Sequence, residues 1–561
     1  MRLILIFLLT SSIFSSAQNN YPQDYFANPL DVSLVLSGNF GELRSNHFHS
    51  GLDIKTQQRE GLKVLACADG FVSRIKVGHF GYGKALYITH PNGYTTVYGH
   101  LQKFSPEIEA YVKKQQYEKE SYEIEVFPSA ETLPVTKQSL VAYSGNSGGS
   151  GGPHLHFEIR DKNEHPINPM LFGIYIKDTT KPVVRSIYAY ALDGNSFVNK
   201  SNSKQKLRLI PQKSGDYMVE SLSAIGNIGF GIDTSDRQDL AANSNGVYNI
   251  QTFLNGNQNF EINFSSFSFD ESSCINQFID YEHYVSNRQR IQKLFKKNNP
   301  LSMFKSTIND GILSVDDNTN SVYKIRISDF KNNETWVTLN IKGTNTSAST
   351  PVVQKTTPYY MTVNHTNNLK SGKVSVDFYP DTFYEDFYID FDVKNDTLTL
   401  HKDVVPVRKN FNISYDVSNY NDADKEKLFI ARLVGYKNYP VYSFTKRDGN
   451  ILSTSTKTLG TYALATDTVN PTIYGLNFKD GQWLSNFRYL KVKIDDDRSG
   501  ISNYRATVND KWILMEYDYK TKTLTYDFND DIITDSKNNF KLIVTDNIGN
   551  SSIFESMFYR K

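Results

Sequence analysis

Cysteine is almost missing from this sequence. Only Cys67 and Cys274 occur in 561 residues, too few for a disulfide framework. They fall in what read as different domains, so both are taken as small buried apolar side chains. An excess of charge of either sign is also missing. The formal net charge is +1, which argues against a nucleic-acid footprint or a strongly acidic surface. Long apolar runs are absent except at residues 3–9, behind Met1-Arg2 and ahead of Ser15-Ser16-Ala17. That run is too short and wrongly flanked for a membrane span and reads as a secretory signal peptide over residues 1–17. No cysteine follows the cleavage site to carry a lipid anchor. The mature chain is therefore expected to be exported, to the periplasm or the extracellular envelope, with no integral membrane segment.

What the sequence has in quantity is aromatic, β-branched and turn-forming residues, with Phe, Tyr and Trp at 13%. Such a composition favours sheets joined by tight turns, and the length requires several domains. Residues 28–173 read as one β-rich unit. Strands are expected at 64–68, 71–77, 122–126 and 139–144, and a hairpin at 86–90 and 95–100 closes on Pro91-Asn92-Gly93. One helix is expected after Ser105-Pro106, capped by Ser105, with Ile108, Tyr111, Val112 and Gln115 at helical spacing. The loop from Gly145 to Gly152 has little side-chain bulk and lets backbone approach a ligand closely.

Beyond residue 169 the chain turns to short strands and Asn/Asp/Gly turns with a weak repeat. Asp178-Thr179-Thr180-Lys181-Pro182 opens one unit and Asp467-Thr468-Val469-Asn470-Pro471 another, each ending on a strand that runs into Asp329 or Asp546. Ig-like β-sandwiches are expected at 178–343 (with insertions) and 467–561, and a further β-rich domain at 351–465, behind a Ser/Thr-rich linker at 344–357. The acidic run at 495–500 lacks the glutamate an EF-hand needs, since Ala506 stands at position twelve, and reads as a solvated turn. The whole is expected to be mainly β.

Eight of the eleven histidines precede residue 166, which places the chemistry in the first unit. In His154-Leu155-His156 two imidazoles point to one face of a strand. In His49-x-x-x-Asp53 an imidazole and a carboxylate follow a turn at Gly51. Together they offer nitrogen and oxygen ligands suited to Zn²⁺ with one position left open. A lone His-x-His is ordinarily a satisfied pair in a sheet, and His-x-x-x-Asp alone is common. The two together, with His100 and the Gly-rich loop, point to a site. His79, His90 and His165 read as ordinary loop histidines.

Three motifs in order, His49-x-x-x-Asp53, Tyr98-Gly99-His100-Leu101 and Gly152-Pro153-His154-Leu155-His156-Phe157-Glu158, give residues 40–168 a resemblance to the lysostaphin/LytM-like zinc metallopeptidases. The resemblance implies an antiparallel β-sheet peptidase domain that uses a zinc-activated water to hydrolyse peptide cross-links of peptidoglycan. It implies His49, Asp53 and His156 as metal ligands and His100 and His154 as catalytic histidines. His47, Tyr98 and Asn146 are candidates for substrate contact, and Glu158 reads as a supporting residue. The segment between His100 and Ser139 is longer than usual for that family and is expected to rebuild one wall of the substrate groove. The β modules are expected to position the peptidase or to bind other envelope proteins, with no nucleic-acid partner. Two other readings are a catalytically silent scaffold that binds peptidoglycan or activates another hydrolase, and an endopeptidase for Gly-rich extracellular proteins.

Overall fold

A computed structural model describes residues 21–345, 355–530 and 532–561. The expected signal peptide and most of the expected linker lie outside them. The first unit contains β1 (Leu36–Gly38), β2 (Leu52–Lys55), β3 (Lys63–Leu65), β4 (Gly70–Val77), β5 (Lys84–Thr89), β6 (Thr95–Gly99), β7 (Leu101–Phe104), α1 (Pro106–Lys119), β8 (Ile124–Val126), β9 (Pro134–Val135), β10 (Leu140–Ser144), β11 (His154–Arg160) and β12 (Pro166–Ile167). The main sheet runs β1-β2-β11-β6-β5-β4-β8, with β9 and β12 at its sides, and β3-β10-β7 form a smaller sheet.

Strand β11 lies between β2 and β6 and is antiparallel to both. Its sequence alternates, so His154, His156, Glu158 and Arg160 share one face while Leu155, Phe157 and Ile159 share the other. The apolar three are wholly buried, each contributing about 1.5–3 kcal/mol by leaving water. The register sets His156 opposite Asp53 on β2 and Gly99 on β6. Two distant stretches of sequence thus become cross-strand neighbours. His100 sits at the bend between β6 and β7 with φ +57, a conformation that costs a non-glycine residue energy and is held by its surroundings.

Helix α1 starts at Pro106 as expected, but Ser105 makes no side-chain cap. The Glu109 carboxylate instead accepts from Phe104 N at 2.9 Å. Its inward face is Ile108, Val112 and Gln116 rather than Gln115.

The first two units were expected as separate domains, yet one hydrophobic core runs through both. Phe40 and Phe48 pack on Phe267 with ring centroids 5.4 and 5.6 Å apart, and Phe48 also meets Phe264 and Phe278. Asn39 Nδ2 donates to Gly246 O at 2.7 Å across the same joint. The second unit is built on the pairings of Val183–Ala191 with Leu222–Ser235 and of Asn320–Ser328 with Glu334–Gly343.

Among the described residues, the third unit closes two five-stranded sheets over a core that includes Phe378, Phe411, Tyr415 and Tyr462. The fourth closes a four-stranded and a five-stranded sheet over Val492, Tyr526, Phe540 and Phe558. This architecture is mainly β, as the composition and turn signals lead one to expect. Cys67 and Cys274 are both free and buried. No helix among the described residues is long and apolar enough to cross a membrane.

Candidate metal centre

His49 Nε2, Asp53 Oδ1 and His156 Nδ1 converge. The two nitrogens each lie 2.9 Å from the carboxylate oxygen and 3.1 Å from one another. The away-facing nitrogen of each ring is anchored. His49 Nδ1 lies 2.8 Å from the carbonyl of Asn39, and His156 Nε2 lies 2.7 Å from Glu158 Oε1. An N–H on each anchored nitrogen leaves a lone pair on the inward one, the arrangement a metal ligand requires. Two imidazole nitrogens and one carboxylate oxygen within 4.8 Å of one another fit Zn²⁺, which accepts such mixed donors and leaves a position open.

Glu158 is wholly buried and its environment explains how. Oε1 accepts from Ser50 Oγ at 2.6 Å, from Tyr82 OH at 2.5 Å and from His156. Oε2 accepts from Arg160 Nε at 2.6 Å. A buried carboxylate that accepts from four donors, one of them a guanidinium, stays ionised. Against the cost of burial, Arg160 and His156 hold its pKa far below the usual carboxylate range. Burial likewise opposes ionisation of Asp53, yet His49, His154 and His156 hold it well below its ordinary value. Burial also opposes charge on His156, but the bonds to Asp53 and Glu158 raise it to about 9, so a metal ion taking Nδ1 displaces a proton there.

His154 and His100 flank the three donors. His154 Nδ1 is 2.8 Å from Gly152 O, and its Nε2 reaches to 3.4 Å from Asp53 Oδ1. His100 Nδ1 is 2.9 Å from Ser147 O, and its ring centroid lies 4.8 Å from that of His154. Burial, then the neighbouring His156 and His154 rings, push His100 down to about 3, leaving it a neutral imidazole. All five expected metal and catalytic positions are thus brought together.

The three candidates for substrate contact are not. Tyr98 is wholly buried, its hydroxyl accepting from Cys67 N at 3.0 Å and from Thr96 Oγ1, and it belongs to the core. His47 is exposed and folds back on Ser45 O. Asn146 turns toward the fourth unit, its carbonyl accepting from Lys520 Nζ at 2.5 Å. The groove beside the centre has a volume of about 700 Å³ and is lined by Val35, Arg44, Lys55, Pro153, His154 and Leu240, among others. Leu240 comes from the second unit, and no lining residue comes from α1. The helix meets the fourth unit instead, where Tyr117 stacks edge-on against Trp512 and bonds Asp530.

Two contacts escaped the sequence reading. Arg44 donates to Asp53 Oδ2 at 3.0 Å, fixing the second oxygen of a ligand carboxylate. Tyr82 stacks on His156 at 4.8 Å; its flanking Gly81 and Gly83 were the only hint. The Gly-rich loop approaches backbone rather than ligand. At Gly148 (φ +67) a Cβ would stand 2.3 Å from Gly83 N, so the loop locks onto Gly81–Gly83 and carries Ser147 to His100.

A profile of Peptidase family M23 matches residues 47–117, and one of a Zu5-like domain matches residues 358–467. The DD-carboxypeptidase/endopeptidase Mpg of Neisseria meningitidis serogroup B is 31% identical over 139 residues, covering 25% of this chain and 26% of its own. An uncharacterized metalloprotease of Haemophilus influenzae is 34% identical over 122 residues, 22% of this chain and 20% of its own. Among solved structures, the catalytic domain of lysostaphin from Staphylococcus simulans aligns at 20% identity over 24% of this chain and 90% of its own, with a TM-score of 0.18. The matched stretch spans about a quarter of the length of the first of these curated relatives.

Proposed function

Starting from a first domain that belongs to Peptidase family M23, we propose that this chain is an exported zinc metalloendopeptidase that hydrolyses peptide cross-links of bacterial peptidoglycan. The observation that carries the reading is the convergence of His49, Asp53 and His156, with the outward nitrogen of each ring anchored, flanked by two further anchored imidazoles. Zinc held by those three residues would supply a Lewis acid and lower the pKa of water to about 7.

The chain's own groups divide the remaining work. Asp53 and the anchored rings of His49 and His156 hold the metal. His154, with Nδ1 tied to Gly152 O, presents Nε2 toward the ligands and takes or returns a proton during cleavage. His100, kept neutral by burial with its proton on Nδ1 toward Ser147 O, presents an Nε2 lone pair beside it that accepts a hydrogen bond from the attacking water and helps to orient it. Glu158, Tyr82 and Ser50 fix the His156 ring. The 178–343 and 467–561 units, read as Ig-like, and the Zu5-like unit serve to position the peptidase in the envelope.

The test is the muropeptide profile of purified sacculi treated with the wild-type chain and with His154→Ala, alongside the zinc content of each. Loss of cross-linked species with the wild type only, at equal zinc, is expected. Zinc-loaded wild type that leaves both sacculi and peptides untouched would sink the enzymatic reading in favour of a scaffold. Cleavage of elastin-like peptides but not sacculi would move the substrate to Gly-rich proteins.

A further inference from the structure

Two sets of three aspartates lie outside the peptidase centre, and they repeat one another. Asp178, Asp236 and Asp329 bring carboxylate oxygens within 4.8 Å of one another in the second unit, and Asp467, Asp496 and Asp546 do so in the fourth. The surrounding bonds correspond one by one. Asp178 Oδ1 accepts from the N–H two residues on, Thr180, as Asp467 Oδ1 does from Val469. Asp329 accepts from both the backbone and the side-chain amide of Asn333, and Asp546 accepts from both of Asn550. The same asparagines reach back to the carbonyls of Asp178 and Asp467 at 3.3 and 3.2 Å. A repeated unit has kept one polar construction twice.

The first set encloses a void of about 10 Å³, lined also by Asn39, Met170, Gln238 and Lys331, enough for one water-sized particle. Two buried oxygens at this void have no hydrogen-bond partner, Asp236 Oδ1 and Gln238 Oε1, on residues only 3% and 5% exposed. Gln238 is not one of the three acids, so an acceptor from outside the cluster is spent on the same space. Lys331 lines the void without a direct ion pair to the three acids; its ammonium lies over the Tyr175 ring at 4.3 Å. In the fourth unit, Ser499 Oγ, on a residue 3% exposed, and Asp496 Oδ1 are likewise buried without a partner, and Ser499 N donates to Asp467 Oδ2. Unpaired buried acceptors cost about 1–3 kcal/mol each; three carboxylates beside them add mutual repulsion.

We propose that each aspartate triad is a Ca²⁺ site, with Gln238 completing the first and Ser499 the second. The donors are all oxygen, which disfavours zinc, and they come from strand ends and the loops beside them with three carboxylates per site, which suits calcium better than the rigid octahedron of Mg²⁺. The sites stand at joints. The first lies against Asn39, Phe40 and Met170 of the peptidase domain. The second lies beside the third unit, where Lys427 bonds Asn550 and accepts from Asp467 N through its carbonyl. Calcium would stiffen both joints of the chain.

The experiment is calorimetric titration of CaCl₂ into the metal-free mature chain, with thermal unfolding across the same concentrations and MgCl₂ in parallel. Two ions per chain are expected, one per triad, with Tm climbing with the logarithm of free calcium. Asp236→Asn should remove one ion, Asp496→Asn the other, and the double variant both. No heat and no Tm change up to about 10 mM, beyond the range of extracellular calcium modules, would overturn the proposal. So would an equal response to Mg²⁺, or calcium binding that survives in the double variant. Asp236→Asn also relieves repulsion, so without metal it should unfold no lower than the wild type. A clearly less stable metal-free variant would mark the triad as an ordinary hydrogen-bonded network and overturn the assignment.

Discussion

The second and fourth units repeat one another in sequence and in their acidic triads, yet they meet the peptidase domain in opposite ways. The second is fused to it through Phe264, Phe267 and Phe278, which share a single core with Phe40 and Phe48. The fourth reaches the edge of that core with Leu514 and Trp512 and sets rings of Tyr504 and Tyr517 against His79, but it adds a set of polar bonds that the first joint lacks at the loop before His154. Glu516 pairs with Lys84 at 2.9 Å, Arg505 with Glu120 at 2.6 Å, and Lys520 Nζ donates to the carbonyls of Asn146 and Ser150. Tyr519 adds a bond to Gly148 O and a ring contact with Phe80. An apolar joint holds by excluding water and does not come apart without unfolding. Exposed polar bonds such as those of Arg505 and Lys520 exchange for water at little net cost, while the buried Lys84 keeps its pair with Glu516. The first joint therefore builds the centre and the second can adjust it, because the loop that Lys520 grips carries the acceptor for His100 and leads into His154.

The largest effect should come from breaking the apolar joint. Phe267→Ala removes a buried ring from between Phe40 and Phe48 and is expected to cost about 3–5 kcal/mol, read from the urea midpoint. The peptidase domain should melt together with the second unit in that variant. If its own transition stayed in place, the two units would be separable and the contrast with the fourth unit would fail. A change inside the centre sets the scale between the joints. Glu158→Gln leaves both joints intact but weakens the acceptor that orients His156. Outer partners of metal-bound histidines are worth about 10–100-fold in affinity, and zinc competition against a chelating dye should show a loss of that size; the urea midpoint should fall as well, because Arg160 loses its buried counter-charge.

The parts of this architecture that local periodicity encodes were readable beforehand. Alternation on a strand put His154 and His156 on one face, and the Pro91-Asn92-Gly93 turn paired β5 with β6. What required tertiary information was the partner of each group. Glu158 was placed only as a supporting residue, because its role depends on Ser50, Tyr82 and Arg160 meeting it from three elements. Tyr98 stands two residues before His100, a spacing that shares a face on a regular strand, but β6 ends at Gly99 and His100 turns off it at φ +57, so Tyr98 stays in the core while His100 leaves it. The acidic run at 495–500 was compared with a contiguous calcium loop and set aside as a solvated turn. Asp496 instead meets Asp467 and Asp546, which lie 29 and 50 positions away in the sequence, a spacing that no local pattern reveals. The segment between His100 and Ser139 is expected as a groove wall because it is longer than usual for the lysostaphin/LytM-like peptidases; Tyr117 instead makes α1 the seat of the fourth unit.

The smallest expected effect tests the polar joint. Lys520→Ala removes the two bonds to Asn146 O and Ser150 O but leaves every ligand and its anchors in place. Exposed charged contacts of this kind contribute about 0–1 kcal/mol, so the urea midpoint should hardly move. Activity on sacculi should fall by roughly 3–10-fold, about 0.6–1.4 kcal/mol in the barrier, because Ser147 and Gly152 no longer hold the His100 and His154 rings as tightly. The loss should sit in kcat rather than KM, since the groove lining is unchanged. Raising salt from about 0.1 to 1 M, which shortens the screening length from about 10 to 3 Å, should reproduce part of the loss in the wild type and none in the variant. Hydrogen exchange should rise at the Gly-rich loop amides in step with it. A variant as active as the wild type, with loop amides equally protected, would make the fourth unit a passive neighbour and leave the apolar joint as the one that matters to catalysis.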